Sequence, residues 1–336
     1  MSERKIENSR VLVTGGAGFI GSNLCEMLLE QNNEVVCLDN FATGKRENVT
    51  PFLRNNRFKL VEGDIRNLSD CKRAIDGADY VLHQAALGSV PRSIDDPITT
   101  NSVNVTGFLN MLVSARDAKV KRMVFATSSS VYGNNQDMPK LEENTGRQLS
   151  PYAISKYVNE LYAGVFHDVF DLEVIGLRYF NVFGRRQDPN GAYAAAIPRF
   201  VQAFMSYESP VIFGDGTQSR DFTYIDNVLQ ANQLAALSPA EGAIGEMYNV
   251  ANGASTDLNT LVGSLRTLLA EFDPAIADVS VEYGPIRIGD VKNSQASIAK
   301  AQAKLGYNPT DDITSGLSKA INWYWERLGQ KAGSLS

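Results

Sequence analysis

The sequence is poor in the residues that usually build metal sites and covalent cross-links. It holds only two histidines, His83 and His167, and three cysteines, Cys25, Cys37 and Cys71, in 336 residues. Two histidines so far apart make a histidine-based metal site an unexpected feature, and no metal is expected. The cysteines have no CxxC spacing, which excludes a thiolate cage or a disulfide framework. Buried thiols in a reducing compartment are the expectation. No apolar run approaches the roughly 20 residues of a membrane span. The first residues, Met1-Ser2-Glu3-Arg4-Lys5, lack the apolar stretch of a secretory leader. A cytoplasmic location follows as an expectation. Basic tracts are also missing, and the net charge is −6, so no nucleic-acid partner is expected. Neither an internal repeat nor a low-complexity segment is visible. Met1–Asn8 and Gly329–Ser336 read as disordered ends.

Glycine, in contrast, is concentrated where it matters. Val11-Leu12-Val13-Thr14 runs into Gly15-x-x-Gly18-x-x-Gly21, and Ser22-Asn23-Leu24 opens an apolar helical pattern. That is strand, tight turn, helix. Glycine suits a backbone that must turn sharply and approach a pyrophosphate closely. The helix N-terminus then offers free N–H groups to the phosphates. A second apolar strand, Glu34 to Leu38, ends in Asp39, about 20 residues on, where an acid can accept both ribose hydroxyls. An acid there repels a 2′-phosphate, so the expected cofactor is NAD rather than NADP.

The first half of the chain keeps a regular rhythm. Strands are expected at Phe58–Val61, Ala78–Leu82, Lys121–Ala126 and Val174–Leu177. A long helix is expected from about Pro97 to Lys119 and another from Pro151. Alternating strands and helices imply an α/β fold with a parallel sheet covered on both faces. Gly15, Asp39, Asp64, Gln84, Ser128 and Asn181 all fall at or just after strand ends, so they converge on one rim, where such sheets bind ligands. After Asn181 the rhythm loosens into turn-rich sequence and short elements. The expected division is residues 1–180 for dinucleotide binding, with returning segments near 222–250, and 181–336 mainly for a smaller substrate lobe.

Tyr152-Ala153-Ile154-Ser155-Lys156 places a phenol and an amine four residues apart on one face of a helix. A free tyrosine titrates near ~10, too high for a base at neutral pH. A nearby ammonium and the positive ring of bound NAD would favour the phenolate. Ser128 stands where it can share a proton with the same substrate hydroxyl. Ser129 and Ser130 serve either the substrate or local backbone capping.

Gly15-x-x-Gly18-x-x-Gly21, Asp39-Asn40, Asp64-Ile65, Ser128 and Tyr152-x-x-x-Lys156 together resemble the extended short-chain dehydrogenase/reductase family. Gly88-Ser89-Val90-Pro91-Arg92-Ser93, the stretch from Arg178 to Gln187, and Ser219-Arg220-Asp221-Phe222 are similar to nucleotide-sugar 4-epimerases, closest to those acting on UDP-N-acetylglucosamine and UDP-N-acetylgalactosamine. The resemblance runs from about Arg10 to Arg327. It implies a Rossmann-type doubly wound parallel sheet with a smaller α/β C-terminal lobe. Tyr152 is then the base, Lys156 its partner and ribose contact, and Ser128 the third member. Phe19 and Ile20 lie under the pyrophosphate. Asp39, Asn40 and Gly44 hold the adenosine ribose, and Asp64 with Ile65 holds the adenine. Gln84, Ala85, Ala86 and Asn104 line the cofactor channel.

On the substrate side the resemblance implies Asn181, Arg220 and Arg287 at the UDP phosphates. Ser89, Ser129, Ser130, Gln187, Ala195 and Ser294 surround the sugar, and Arg92 and Asp290 are further substrate-binding residues. Ile288 departs from relatives that carry an acid there. The implied reaction oxidises C4 to a transient 4-keto sugar, turns the sugar and returns the hydride to the other face. A homodimer through a four-helix bundle is also implied. Two other readings compete. One is a 4,6-dehydratase or decarboxylase of the same fold; a dehydratase would carry Asp-Glu after the strand-end serine or threonine, where this chain has Ser129-Ser130. A non-catalytic NAD-sensing module would have lost the Tyr/Lys pair.

Overall fold

The computed structural model describes residues 4–189, 194–240, 242–285 and 292–332. Seven parallel strands form the central sheet: β1 (Arg10–Thr14), β2 (Glu34–Asp39), β3 (Phe58–Glu62), β4 (Tyr80–His83), β5 (Arg122–Ser128), β6 (Val174–Tyr179) and β7 (Met247–Val250). Their order is β3-β2-β1-β4-β5-β6-β7. The chain therefore reverses direction across the sheet between β1 and β4, and a crevice opens there beyond the strand ends.

Alternation along each strand sorts the core into two halves. Val11, Val13, Val35 and Cys37 pack on Leu24, Cys25 and Leu28 of α1 (Phe19–Glu30). Leu12, Val36 and Leu38 pack on Phe108, Met111 and Leu112 of α2 (Gly107–Ala118), with Phe166 of α3 (Pro151–Phe170) in the same cluster. The first half is closed by Val228, Ala231 and Leu234 of α4 (Ile225–Leu237). Each large apolar side chain buried in this way contributes about 1.5–3 kcal/mol. All three cysteines are buried free thiols.

The helix expected over Pro97–Lys119 is present with an interruption. Pro97–Asn101 is α-helical, with the Asp96 side chain accepting from the Thr99 N–H; Ser102–Thr106 forms a π turn, and α2 follows. Gly107 opens α2 because a Cβ there would lie 2.6 Å from Ile65, so the helix can approach the sheet rim closely. Ser150 caps α3 through the Ala153 N–H, with Pro151 in its first turn.

Both expected disordered ends need correction over residues 4–8 and 329–332; residues 1–3 and 333–336 lie outside the described residues. Ile6 is buried, its N–H donates to Gln233 Oε1 at 3.1 Å, and its carbonyl accepts from Asn33 Nδ2 at 2.6 Å. An apolar residue with two buried backbone partners outweighs the polar residues around it. At the other end the helix Ile313–Ala332 runs through Gly329.

Beyond β6 the chain forms short strand pairs: Val182–Phe183 with Thr223–Tyr224, Val211–Phe213 with Glu282–Gly284, and Ser219–Arg220 with Thr256–Asp257. Asp221 ties these pieces together. It is fully buried, and its carboxylate accepts from the backbone N–H groups of Asn252 at 2.9 Å, Gly253 at 3.1 Å and Ala296 at 3.1 Å. Among the described residues no helix is long and apolar enough to cross a membrane.

Candidate active site

A cavity of about 450 Å³ opens over the β1/β4 crevice. At one end is the glycine loop. Gly15 has φ +67°, and a Cβ there would lie 2.8 Å from the Ala85 nitrogen; a Cβ on Gly21 would lie 2.1 Å from the Gly15 carbonyl. Gly18 begins α1 and offers no side chain to cap it. Bare helix N–H groups in a cradle that side chains would fill fit a dinucleotide pyrophosphate. Phe19 and Ile20 line the cavity beside these glycines.

Asp39 ends β2 at the next strand. Its carboxylate accepts from Ala17 N at 2.9 Å and Phe41 N at 2.8 Å, and Gly44 packs so close that a Cβ would meet the Asp39 carboxylate at 2.8 Å. Burial pushes the Asp39 carboxyl up, and those two N–H bonds oppose it. Farther along, Asp64 is gripped by Arg66 at 2.6 Å and by Asn40 at 2.9 Å. The Arg66 hydrogen bonds hold its carboxyl down at about 2. Asn40, Gly44, Asp64 and Ile65 all line this end. These acids and glycines fit an adenosine with free ribose hydroxyls.

Gln84, Ala85 and Ala86, just past β4, form the middle of the wall. Gln84 belongs to a closed ring: it accepts from Tyr179 OH at 3.2 Å and donates to Asn232 at 3.1 Å, and Asn232 donates back to the Tyr179 oxygen at 2.8 Å. Asn104 stands behind the wall. From the π turn it accepts from Leu87 N at 2.8 Å and donates to Leu87 O and Ser155 Oγ, both at 3.1 Å. It braces the loop instead of lining the channel.

Ser128, Tyr152 and Lys156 meet on the far wall of the same cavity. Burial raises the Tyr152 phenol, and a hydrogen bond to Ser128 opposes the rise. Lys156 Nζ donates to the Ala126 carbonyl at 2.8 Å. Burial lowers the Lys156 amine to about 8, and Glu160 acts against that. Ser128 Oγ also accepts from Ser130 N at 3.2 Å. Ser130 Oγ is buried without a partner.

Asn181 and Val182 join this cavity to a second one of about 210 Å³. Gln187, Ala195 and Arg220 line the second cavity. Arg220 Nη1 donates to Ser219 O at 2.9 Å. Ser294 lies beside it, its N–H on Ser219 O at 3.1 Å, and lines neither cavity. Ser89, Arg92, Ser129 and Ser130 likewise line neither; Ser89 Oγ caps its short helix by accepting from Arg92 N. Arg287, Ile288 and Asp290 lie outside the described residues. Sequence reasoning missed Arg66 and Tyr179 in the larger cavity and Phe213, Phe222 and Arg199 in the smaller. Arg66 had a signal, since it directly follows Asp64-Ile65. The two phenylalanines had none, because they look like ordinary core.

A family model described as the NAD dependent epimerase/dehydratase family matches residues 11–251. A UDP-glucose 4-epimerase of Mycolicibacterium smegmatis is 33% identical over 322 residues, covering 94% of this chain and 98% of that one. The solved structure of a UDP-N-acetylglucosamine 4-epimerase from Methanobrevibacter ruminantium, in complex with UDP-N-acetylmuramic acid, is 37% identical with a TM-score of 0.89, covering 96% of this chain and all of that one (100%). A UDP-glucuronic acid 4-epimerase from Bacillus cereus, solved with UDP-glucuronic acid and NAD, is 31% identical with a TM-score of 0.84, covering 95% and 99%. With its glycine loop, acid-tipped second strand and Ser/Tyr/Lys wall, the chain belongs to the NAD dependent epimerase/dehydratase family.

Proposed function

We propose that this protein inverts C4 of UDP-N-acetylglucosamine and UDP-N-acetylgalactosamine, and more slowly of UDP-glucose and UDP-galactose. The carrying observation is the meeting of Ser128, Tyr152 and Lys156 on the wall between the glycine loop and the second cavity. Relatives that act on UDP-sugars differ in the sugar. The larger cavity supports an uncharged one: of its two described cations Arg66 is gripped by Asp64, and Lys156 is taken up by its roles at Tyr152 and the ribose.

Bound NAD supplies the hydride acceptor and donor at C4. The chain's residues do the rest. Tyr152 takes the proton of the 4-hydroxyl, Ser128 shares it, and Lys156 holds the charge balance and the ribose. Asn181 and Arg220, with Arg287, hold the diphosphate while the sugar turns about its link to it. Tyr152 then returns the proton on the other face. Positioning and charge are the protein's contribution. Residues 1–180 with 222–250 would bind the dinucleotide and 181–336 mainly the sugar nucleotide.

Two copies would pair through an apolar face that Ile94 and Ile98 share with Ile154, Leu161, Val165 and Val169 of α3, all more than half exposed. A four-helix bundle buries that face.

Incubation with UDP-N-acetylglucosamine and UDP-glucose separately, followed by chromatographic separation, tests the reading. The 4-epimer is expected from each, faster from the acetylated sugar. A product lighter by one water would mean dehydration, and no new product would overturn the proposal.

A further inference from the structure

Two charged side chains lie behind the Ser/Tyr/Lys wall and line neither cavity. Glu160 follows Lys156 by one turn on the same face of α3. Arg178 stands on β6 opposite Thr127. Both are buried, and they form a bidentate pair: Arg178 Nε to Glu160 Oε1 at 3.0 Å and Nη2 to Oε2 at 2.7 Å. Glu160 Oε1 also accepts from Thr127 Oγ1 at 2.7 Å, the residue before Ser128. Arg178 Nη1 reaches the Glu142 carbonyl at 2.8 Å and Tyr132 OH at 3.1 Å, and Tyr132 OH donates to Asn249 of β7 at 2.6 Å.

A buried ion pair is a poor way to gain stability, since desolvation commonly cancels its attraction. Its location suggests another role. Lys156 is itself buried and must stay charged to serve Tyr152. The titratable and charged groups on the elements around it are few. On α3 they are Tyr152 and Glu160. On β4 stands His83, held neutral by burial at about 3. On β6 stand Arg178 and Tyr179, and Tyr132 follows β5; burial raises both phenols to about 12. Glu160 is therefore the anion among these groups.

We propose that Glu160 is a positioning residue for the epimerisation. Its carboxylate keeps Lys156 charged and, through Thr127, sets Ser128 against Tyr152; Arg178 is the counter-ion that lets a carboxylate stand there. This rests on the reading of Lys156 as the charged partner of Tyr152.

The test is the pH profile of kcat with UDP-N-acetylglucosamine on the full-length, NAD-loaded protein. Loss of the Lys156 proton produces the basic limb. Glu160→Gln removes the charge at constant shape. The basic limb is expected to move down by about one pH unit, kcat at alkaline pH to fall about tenfold with it, and KM to stay unchanged because Glu160 touches no substrate. Glu160→Asp keeps the charge and is expected to leave the limb in place while lowering kcat at all pH values. If the unpaired Arg178 prevents Glu160→Gln from folding, Arg178→Gln, which leaves the Glu160 carboxylate without its counter-ion, carries the measurement in the opposite sense and is expected to move the limb up. An unmoved limb, or one that moves equally in Glu160→Asp, overturns the proposal. Tyr152→Phe run alongside separates the two readings: if it retains turnover the Ser/Tyr/Lys reading itself falls, whereas an inactive Tyr152→Phe with an unmoved limb removes only the role of Glu160.

Discussion

The Lys156 ammonium donates to the carbonyl of Ala126 at 2.8 Å, which ties α3 to β5 two residues before Ser128. A charge-assisted bond of this kind contributes about 1.5–3 kcal/mol. Lys156→Met keeps the buried apolar stem and removes the tether and the proposed ribose contact. The purified wild type is expected to release about one NAD per chain on denaturation, because the reaction regenerates its cofactor every turnover. Lys156→Met should release clearly less and melt at lower temperature. Equal NAD content in the two proteins would remove the ribose role.

Tyr152→Phe should retain NAD and the melting temperature of wild type while kcat falls about 10²–10⁴-fold, the usual contribution of a positioned base. Burial raises the phenol, so at neutral pH it is mostly protonated and its base form grows with pH. Wild-type kcat/KM should therefore climb from the acid side, and the residual activity of the variant should lack that climb. A matching climb in Tyr152→Phe would assign the base to another group.

Ser294→Tyr bears on the sugar's C2 substituent. Ser294 lines neither cavity but runs beside Ser219 and next to the Arg220 wall; we propose that a tyrosine ring placed there would reach into the space of the sugar's acetamido group. Overfilling a packed site costs about 1–3 kcal/mol, roughly ten- to a hundredfold in binding. kcat/KM for UDP-N-acetylglucosamine and UDP-N-acetylgalactosamine should drop by that factor while UDP-glucose and UDP-galactose hold or improve. Equal loss on all four would mean damage to the fold, and no loss would place residue 294 away from the acetamido group.

The exposed apolar face on α3 should govern assembly. Wild type is expected to sediment as a dimer at micromolar concentration. Leu161→Glu with Val165→Glu places two charges where the partner helix would pack, and should give monomers with NAD still bound. A wild-type monomer would refute the bundle.

Much of this fold was legible because its signals are local. Val11–Thr14, the three glycines and Asp39 carry strand, turn and acid within one βαβ unit, and the strand ends at Asp64, Gln84, Ser128 and Asn181 follow from alternation alone. What was not legible depends on partners distant in sequence. Asn104 looked like a channel residue, yet the π turn aims it at the Leu87 loop and Ser155. Ile6 looked like part of a frayed end, and only Gln233 and Asn33 show why it is held. The second cavity owes its wall to Phe213 and Phe222, whose identity says apolar and nothing about facing a cleft.

Asp221, whose carboxylate gathers three backbone N–H groups, couples the folding of the chain to protons. Burial raises it to about 6, against about 3.9 for an aspartate in the unfolded chain. The folded protein therefore takes up a proton between those values that the unfolded chain does not. The stability Asp221 contributes is full below about pH 4 and is lost as pH rises through about 6, in total about 3 kcal/mol. Asp64, held at about 2, has the opposite slope, losing its contribution as pH falls below about 4. Melting temperatures across this range should show Asp221→Asn lessening a decline between about pH 4 and 6, and an unchanged decline would remove this proton from the folding of the chain.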